Sequence, residues 1–360
     1  MKVLQIMAGD VYGGAENFFI RLVCALSEAG LDQEVILKPH TNRESVLKDK
    51  NIPVTTASFN RLFSFGTRQS IQSVIGRYCP DIVMTWMSRA SALCPRGDFV
   101  HVGRLGGYYD LKYYQKCDYL VGNTEDIVHY FHKEGWDDHF THYLPNFVDP
   151  PQHKRKIAKE TFDTPEDAPL LLSLGRLHTD KGFDVLIQAM EEIPSAYLWI
   201  VGAGEERDNL TKQIAQTHVQ ERIKLIDWQE DISSLYNTCD IYVCPSRIEP
   251  LGNVILEAWA HRKPVVAAKS KGPKGLIQNE KTGLLAALED HEGLAIAINR
   301  FLQNPSLKKK LAQAGYRYYK DHFTKDAVVG QYLTFFEQIK GKKRTGTPQI
   351  LKCEFGKCVG

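Results

Sequence analysis

The sequence predicts an α/β chain folded as two Rossmann-like domains in tandem, and three observations carry that prediction. Short apolar, β-branched runs alternate with segments of helical period as far as about residue 285, the pattern of βαβ units on a parallel sheet. A proline-rich, basic stretch, LPNFVDPPQHKRK, interrupts both periodicities near the middle of the chain. The length of 360 residues accommodates two domains of about 150 residues each.

In the first half the strand candidates are VLQIMA from Val3, EVILK from Glu34, VTTASF from Val54, DIVMTW from Asp81, FVHVGRL from Phe99 and YLVGN from Tyr119. Between the first two, ENFFIRLVCALSEAG puts Phe18, Leu22, Ala25 and Leu26 on one helical face and ends on a C-cap, Gly30. The second half repeats the pattern with LLLSLGRL from Leu170, AYLWIVGAG from Ala196, IKLIDW from Ile223, DIYVCPS from Asp240 and PVVAAK from Pro264. Helical patterns at about 290–303, 305–321 and 325–340 close the chain. The expected domains are residues 1–155 and 156–325, followed by a helix at 326–340 and a mobile basic tail at 341–360.

Composition narrows the function. Hydrophobic residues at 43%, charged at 24% and aromatic at 10% match a folded enzyme and exclude disordered, collagen-like and low-complexity chains. The net charge of +2 gives no reason to expect a nucleic-acid partner. The first residues, MKVLQIMAGDVYGGAE, lack a signal-peptide core, and no window is long and apolar enough to span a bilayer, so a cytoplasmic chain is expected. The eight cysteines form no CxxC and no zinc-spaced set; Cys353 and Cys358, in the tail, are the one pair whose redox state invites a check.

Four stretches fall in turns after strand ends, where open α/β sheets bind ligands. GDVYGGAE offers Gly13 and Gly14 for close backbone approach, with Glu16 just beyond as an acceptor-side candidate, and a following helix N-terminus that suits an anion; a Gly-rich turn without a ligand is the alternative. In GRLHTDKG, Arg176 and Lys181 are five apart before a helix and can converge on a diphosphate, or stand as a solvated pair. VGAGEE places Gly202 and Gly204 in a further strand-to-helix turn, for which turn chemistry alone is an equal reading. The most specific stretch is SRIEPLGNVILEA: Glu249 and Glu257 lie eight apart around a Gly-Asn turn, with the N–H groups of Gly252, Asn253 and Val254 at the helix mouth. Two acids beside such a turn grip sugar hydroxyls, which a purely structural core helix does not explain.

Together GGAE, GRLHTDKG, the E-x7-E of SRIEPLGNVILEA and the following PVVA resemble the retaining glycosyltransferase family 4 with the GT-B fold, over residues 1 to about 340. The resemblance implies a metal-independent hexosyltransferase with no cofactor, its nucleotide-sugar donor, expected to be a UDP-sugar, held mainly by the second domain and its acceptor by the first. It implies that Arg176 and Lys181 neutralise the donor diphosphate, Glu257 binds the ribose, Glu249 contacts the donor sugar, and Gly14 lets the diphosphate close on the first domain. It also implies that the helix at 326–340 packs back across the hinge. Two positions depart from the family pattern. Where members carry a His after the fifth strand, this chain reads HVGRLGGYYD, leaving His101, Arg104 or neither on the acceptor side, and after PVVA it reads KSKGPKGLI without an acid.

Residues 59–104 contain six arginines (61, 68, 77, 89, 96 and 104) and two acids, with Phe59, Phe63 and Phe65 interleaved. Such a segment suits anionic headgroups or a lipid-linked glycan; a solvated face over buried aromatics is the other reading. The tyrosines of RLGGYYDLKYY can stack on sugars or fill core. The expected acceptor is a lipopolysaccharide-core or other cell-surface glycan, with peripheral attachment to the membrane. The competing readings are a non-catalytic glycan- or nucleotide-binding protein and a sugar-nucleotide epimerase; a dehydrogenase is disfavoured because GDVYGGAE lacks the GxGxxG spacing.

Overall fold

The computed structural model describes residues 1–9, 14–59 and 65–344. They form two compact units, Met1–Asn146 joined by the chain from Val328 onward, and Phe147–Ala327. The first unit runs β1 (Lys2–Met7), α1 (Gly14–Glu28), β2 (Asp32–Leu37), α2 (Thr41–Asp49), β3 (Val54–Thr56), α3 (Phe65–Tyr78), β4 (Ile82–Trp86), α4 (Met87–Leu93), β5 (Val100–Leu105), β6 (Tyr119–Gly122), α5 (Glu125–Lys133) and β7 (Thr141–Tyr143). The second runs β8 (Leu170–Leu174), α6 (Phe183–Ala189), β9 (Tyr197–Val201), α7 (Arg207–Gln216), β10 (Ile223–Ile226), α8 (Ile232–Thr238), β11 (Ile241–Cys244), α9 (Asn253–Ala260), β12 (Val265–Ala268), α10 (Lys271–Leu276), β13 (Leu284–Ala286), α11 (His291–Gln303) and α12 (Pro305–His322). Helix α13 (Lys325–Ile339) then returns to the first unit.

Both sheets are parallel and doubly wound, in the orders β3-β2-β1-β4-β5-β6-β7 and β10-β9-β8-β11-β12-β13. The order reverses between β1 and β4 and again between β8 and β11, and a crevice opens at the carboxyl ends of strands at such a reversal. Central strands are covered on both faces, which is why they read as unbroken apolar runs: β4 and β11 are buried throughout. Alternation decides which face each residue serves. Leu171, Ile241 and Val243 pack into one core of the second unit, and Leu170, Leu172, Tyr242 and Cys244 into the other. Each fully buried aliphatic side chain there contributes roughly 1.5–3 kcal/mol.

Three expectations need correction. The units divide at Asn146 and Phe147, earlier than residue 155, because Val148 is already tied to the second unit: its N–H donates to Phe323 O at 3.3 Å and its carbonyl accepts from Tyr319 Oη. Ile157 N–H likewise donates to Thr238 Oγ1. The expected tail is docked at its start: Lys343 donates to Gly97 O and lies 3.1 Å from Asp98, Arg344 N–H donates to Asp118, and the Arg344 guanidinium sits 4.5 Å over Trp136. Residues from 345, including Cys353 and Cys358, lie outside those described. The strands β7 and β13, three residues each at a sheet edge, are additional to those read from the sequence.

The arginine-rich segment divides: Arg68 and Arg96 are exposed, whereas Arg77, Arg89 and Arg104 are committed inside the first unit. Arg77 forks onto Glu34 at 2.9 and 2.6 Å, and Arg89 donates to Phe59 O. Phe59 is buried, Phe65 is exposed, and Arg61 and Phe63 lie outside the described residues. The four tyrosines divide: Tyr114 is core, Tyr109 half-buried, and Tyr108 and Tyr113 face solvent. Among the described residues, no helix is long and apolar enough to cross a membrane.

Candidate functional site

The second unit concentrates the predicted residues at the carboxyl edge of its sheet. The ends of β8 and β9, the turn after β10 and the first turns of α8 and α9 enclose a cavity of about 340 Å³. Arg176, Gly202 and Glu257 line it. Gly202 is dictated by packing: a Cβ there would fall 1.9 Å from Gly175 O, so only glycine allows the two strand ends to run this close. Arg176 is exposed at the rim, and among the described residues its guanidinium has no hydrogen-bond or ion-pair partner. Its five donors therefore remain available to an anion.

Glu257 sits in the second turn of α9, half-buried, with Oε2 3.1 Å from Tyr236 Oη. Tyr236 is fully enclosed, and burial together with the Glu257 charge pushes its phenol well above its ordinary range, so it stays a donor. His261 stacks on the Tyr236 ring with centroids 4.9 Å apart, and burial holds its imidazole below the usual value. A neutral His261 thus supports Tyr236, whose hydroxyl is shared between Val254 O at 3.0 Å and the Glu257 carboxylate.

Beside the cavity the two other charged residues meet each other. Lys181 Nζ lies 2.6 Å from Glu249 Oε2, and Gly252 N–H donates to Glu249 Oε1 at 3.2 Å. The Lys181 stem borders Gly175, which lines the cavity, so pair and cavity adjoin. Gly252 caps α9 at φ 79°, a left-handed conformation that glycine adopts without strain, and this aims its N–H at Glu249. Leu251 is half-buried beside it; Asn253 opens α9, with its side-chain Oδ1 buried and lacking a partner among the described residues. Gly204 belongs to the packing of the turn, since a Cβ would meet Leu177 O at 2.3 Å.

Two residues that sequence reasoning missed take part. Trp228, largely exposed, forms part of the cavity wall. Its only sequence signal is an aromatic just past a strand end. Arg247 ties the Lys181 turn to the Glu249 loop: it donates to Thr179 O at 2.7 Å, forks onto Asp184 at 2.7 and 2.6 Å, and pairs with Glu289. The acids raise its already high pKa further. In the sequence it is one more basic residue beside an acid.

In the first unit, Gly14 opens α1, while Gly13 lies outside the described residues. Glu16 is buried beside Gly9, and with Lys38 and Arg43 it lines a cavity of only about 10 Å³. The expectation for His101 and Arg104 changes more. His101 lies inside β5, enclosed by Thr85 at 3.0 Å and Cys117 at 3.6 Å, and burial holds its pKa down to about 3. Arg104 is also interior: its guanidinium lies 4.2 Å over Trp86, donates to Asn146 Oδ1 at 2.6 Å and to Tyr332 Oη at 2.9 Å. Every residue of β5 is buried, so neither side chain stands at a strand end open to a ligand.

Similarity to known proteins agrees with this geometry. Residues 154–318 match the family described as glycosyl transferases group 1. The chain is 36% identical over 342 residues to the lipopolysaccharide core biosynthesis glycosyltransferase LpsE of Rhizobium meliloti (strain 1021), covering 92% of this chain and 98% of that one. Among solved structures, a glycosyltransferase from Rickettsia africae superposes with a TM-score of 0.84 at 22% identity, covering 94% of this chain and 98% of that one. Anabaena HepE in complex with UDP superposes with a TM-score of 0.80 at 20% identity, covering 94% and 100%. The chain belongs to the group 1 glycosyl transferases, and its two Rossmann-like units have the GT-B fold.

Proposed function

We propose that this glycosyltransferase, of family 4, moves a hexose from a UDP-sugar onto a glycan or lipid-linked glycan of the lipopolysaccharide core, with retention of configuration and without a metal ion, at the cytoplasmic face of the membrane. The observation that carries the reading is the cavity of about 340 Å³ with an uncommitted Arg176 at its rim and the Lys181–Glu249 pair alongside. The names of LpsE and of the UDP complex of HepE support the acceptor class and the nucleotide.

In this reading Glu257, hydrogen-bonded to Tyr236, accepts the ribose hydroxyls, and Trp228 offers a face to the nucleotide. Arg176 and Lys181 neutralise the diphosphate as negative charge grows on it, and this electrostatic contribution lowers the barrier. Glu249 accepts the donor-sugar hydroxyls, with Leu251, Gly252 and Asn253 supplying backbone N–H groups nearby. The acceptor oxygen bonds to the anomeric carbon as the carbon–phosphate oxygen bond breaks, and the departing phosphate takes the acceptor proton, so no separate base is needed.

The test is a panel of UDP-, GDP-, ADP- and CMP-sugars, with and without EDTA, followed by thermal shift and nucleotide release. Turnover of a UDP-sugar that survives EDTA and is lost in Glu257→Ala is expected. No stabilisation by any donor, or EDTA-sensitive turnover, overturns the reading or its metal-free part respectively.

A further inference from the structure

A second cavity, of about 550 Å³, lies in the second unit at the opposite edge of the sheet. Cys239 and Asp240, just before β11, and Lys263 and Pro264, just before β12, form one wall. The donor cavity meets the other ends of the parallel strands, so roughly 15 Å of strand separates the two. Helix α12 forms the facing wall.

The charge here is one-sided. Arg262, Lys308, Lys309, Arg317 and Lys320 all line the cavity, against one acid, Asp240. That acid is already engaged, accepting from Leu170 N–H at 2.9 Å with Lys159 3.9 Å away. Lys263 is likewise spoken for, donating to the carbonyls of Asn237 and Cys239. Among the described residues, Lys308, Lys309, Arg317 and Lys320 have no side-chain partner. Arg262 lies 4.2 Å over the Tyr316 ring, which orients a guanidinium without neutralising it.

The helix dipole favours Lys320, in the last turn of α12, but not the lysines at the start of the helix. Lys308, Lys309 and Lys310 lie near the N-terminal, positive end of α12, where the helix dipole disfavours cations, and no acid occupies its first turn. The lining residues 308, 309, 312, 313, 316, 317 and 320 share one face at helical spacing, with Ala312 keeping the floor open between the charges. The volume lies in the range of small-ligand sites, about 300–1,000 Å³. Concentrated, uncompensated positive charge in a concavity attracts multiply charged anions, with Arg offering forked and Lys point-charge contacts to phosphate oxygens.

We propose that this groove binds a phosphate-bearing anion carrying two or more negative charges, at a site separate from the donor cavity. The phosphate can belong to a soluble polyphosphate or to a phospholipid headgroup, and the experiment separates the two. Tripolyphosphate is titrated calorimetrically into the full chain, into R176A/K181A and into R317E/K320E; the same proteins are sedimented with phosphatidylcholine vesicles with and without cardiolipin, whose headgroup carries two phosphodiesters. R317Q/K320Q, which removes charge without reversing it, serves if the reversal fails to fold.

Saturable tripolyphosphate binding that persists in R176A/K181A and weakens ten-fold or more in R317E/K320E supports a soluble ligand. Cardiolipin-dependent sedimentation lost in R317E/K320E, without saturable tripolyphosphate binding, supports a headgroup. Binding that vanishes with R176A/K181A, is indifferent to residues 317 and 320, or is absent in both formats overturns the proposal. UDP-sugar turnover is read separately in each variant, so failure of the groove and failure of the donor site remain distinct.

Discussion

Lys181 and Glu249, 68 residues apart in sequence, meet at 2.6 Å with the carboxylate buried and the ammonium three-quarters covered. Neither charge is spare. The proposed diphosphate must therefore share Lys181 with Glu249, and removing either partner strands the other. Lys181→Ala is expected to lower kcat/KM by about 10²–10³-fold and to cost about 1–3 kcal/mol of stability, because Glu249 is left buried without its cation. Unchanged steady-state kinetics would remove Lys181 from the donor site.

Tyr236→Phe deletes the hydroxyl 3.1 Å from Glu257 while preserving the ring stack with His261. The expected stability cost is about 1 kcal/mol, accompanied by a several-fold weaker affinity for UDP as the carboxylate loses this contact. Calorimetric titration of UDP separates that effect from a change in fold.

Gly202→Ala forces a Cβ to within 1.9 Å of Gly175 O, so the ends of β8 and β9 must part. A loss of about 1–3 kcal/mol in urea unfolding is expected, with weaker nucleotide binding, since Gly175 and Gly202 both line the cavity. Alanine tolerated without effect on either measurement would show that the strand ends move freely.

Trp228 is 68% exposed, so Trp228→Ala should leave the melting temperature nearly unchanged. Nucleotide affinity should nevertheless fall, by about 0.5–1.5 kcal/mol if the indole stacks on the base. UDP should quench tryptophan fluorescence in the parent and quench it less in the variant.

The sheets and their order of elements were legible because strands buried on both faces announce themselves as apolar runs, as β4 and β11 do. The E-x7-E stretch and the Arg176 turn were equally plain, since chemistry there depends on residues adjacent in the chain. What the sequence concealed is tertiary. Nothing local distinguishes His101 in a covered strand from a histidine at a strand end, and Arg104 becomes a core residue only because Trp86, Asn146 and Tyr332 converge on it. Arg247 acquires its role from Thr179, Asp184 and Glu289, which are 42 to 68 positions away.

Acid sensitivity follows from the buried imidazoles. His101 has its pKa held down to about 3, below the 6.5 of an exposed histidine, so between those values the unfolded chain binds a proton that the folded chain refuses. This contribution to stability is intact above pH 6.5 and declines as the pH falls toward 3, with a slope approaching about 1.4 kcal/mol per pH unit. Burial lowers His142 and His261 as well, adding the same sign. Urea unfolding between pH 4 and pH 7 should show this slope, and His101→Gln should reduce it; an identical slope in the variant would assign the acid sensitivity elsewhere.

The return of the chain to its first unit at Val328 reverses the order in which the molecule can be finished on the ribosome. The unit that starts second is continuous in sequence and is complete once Ala327 has emerged. The unit that starts first must wait until Arg344 has been made, because Arg104 lacks its Tyr332 partner, and Asp118 its Arg344 contact, until then. A premature stop just before residue 328 therefore strikes hardest at the part of the protein that was made earliest.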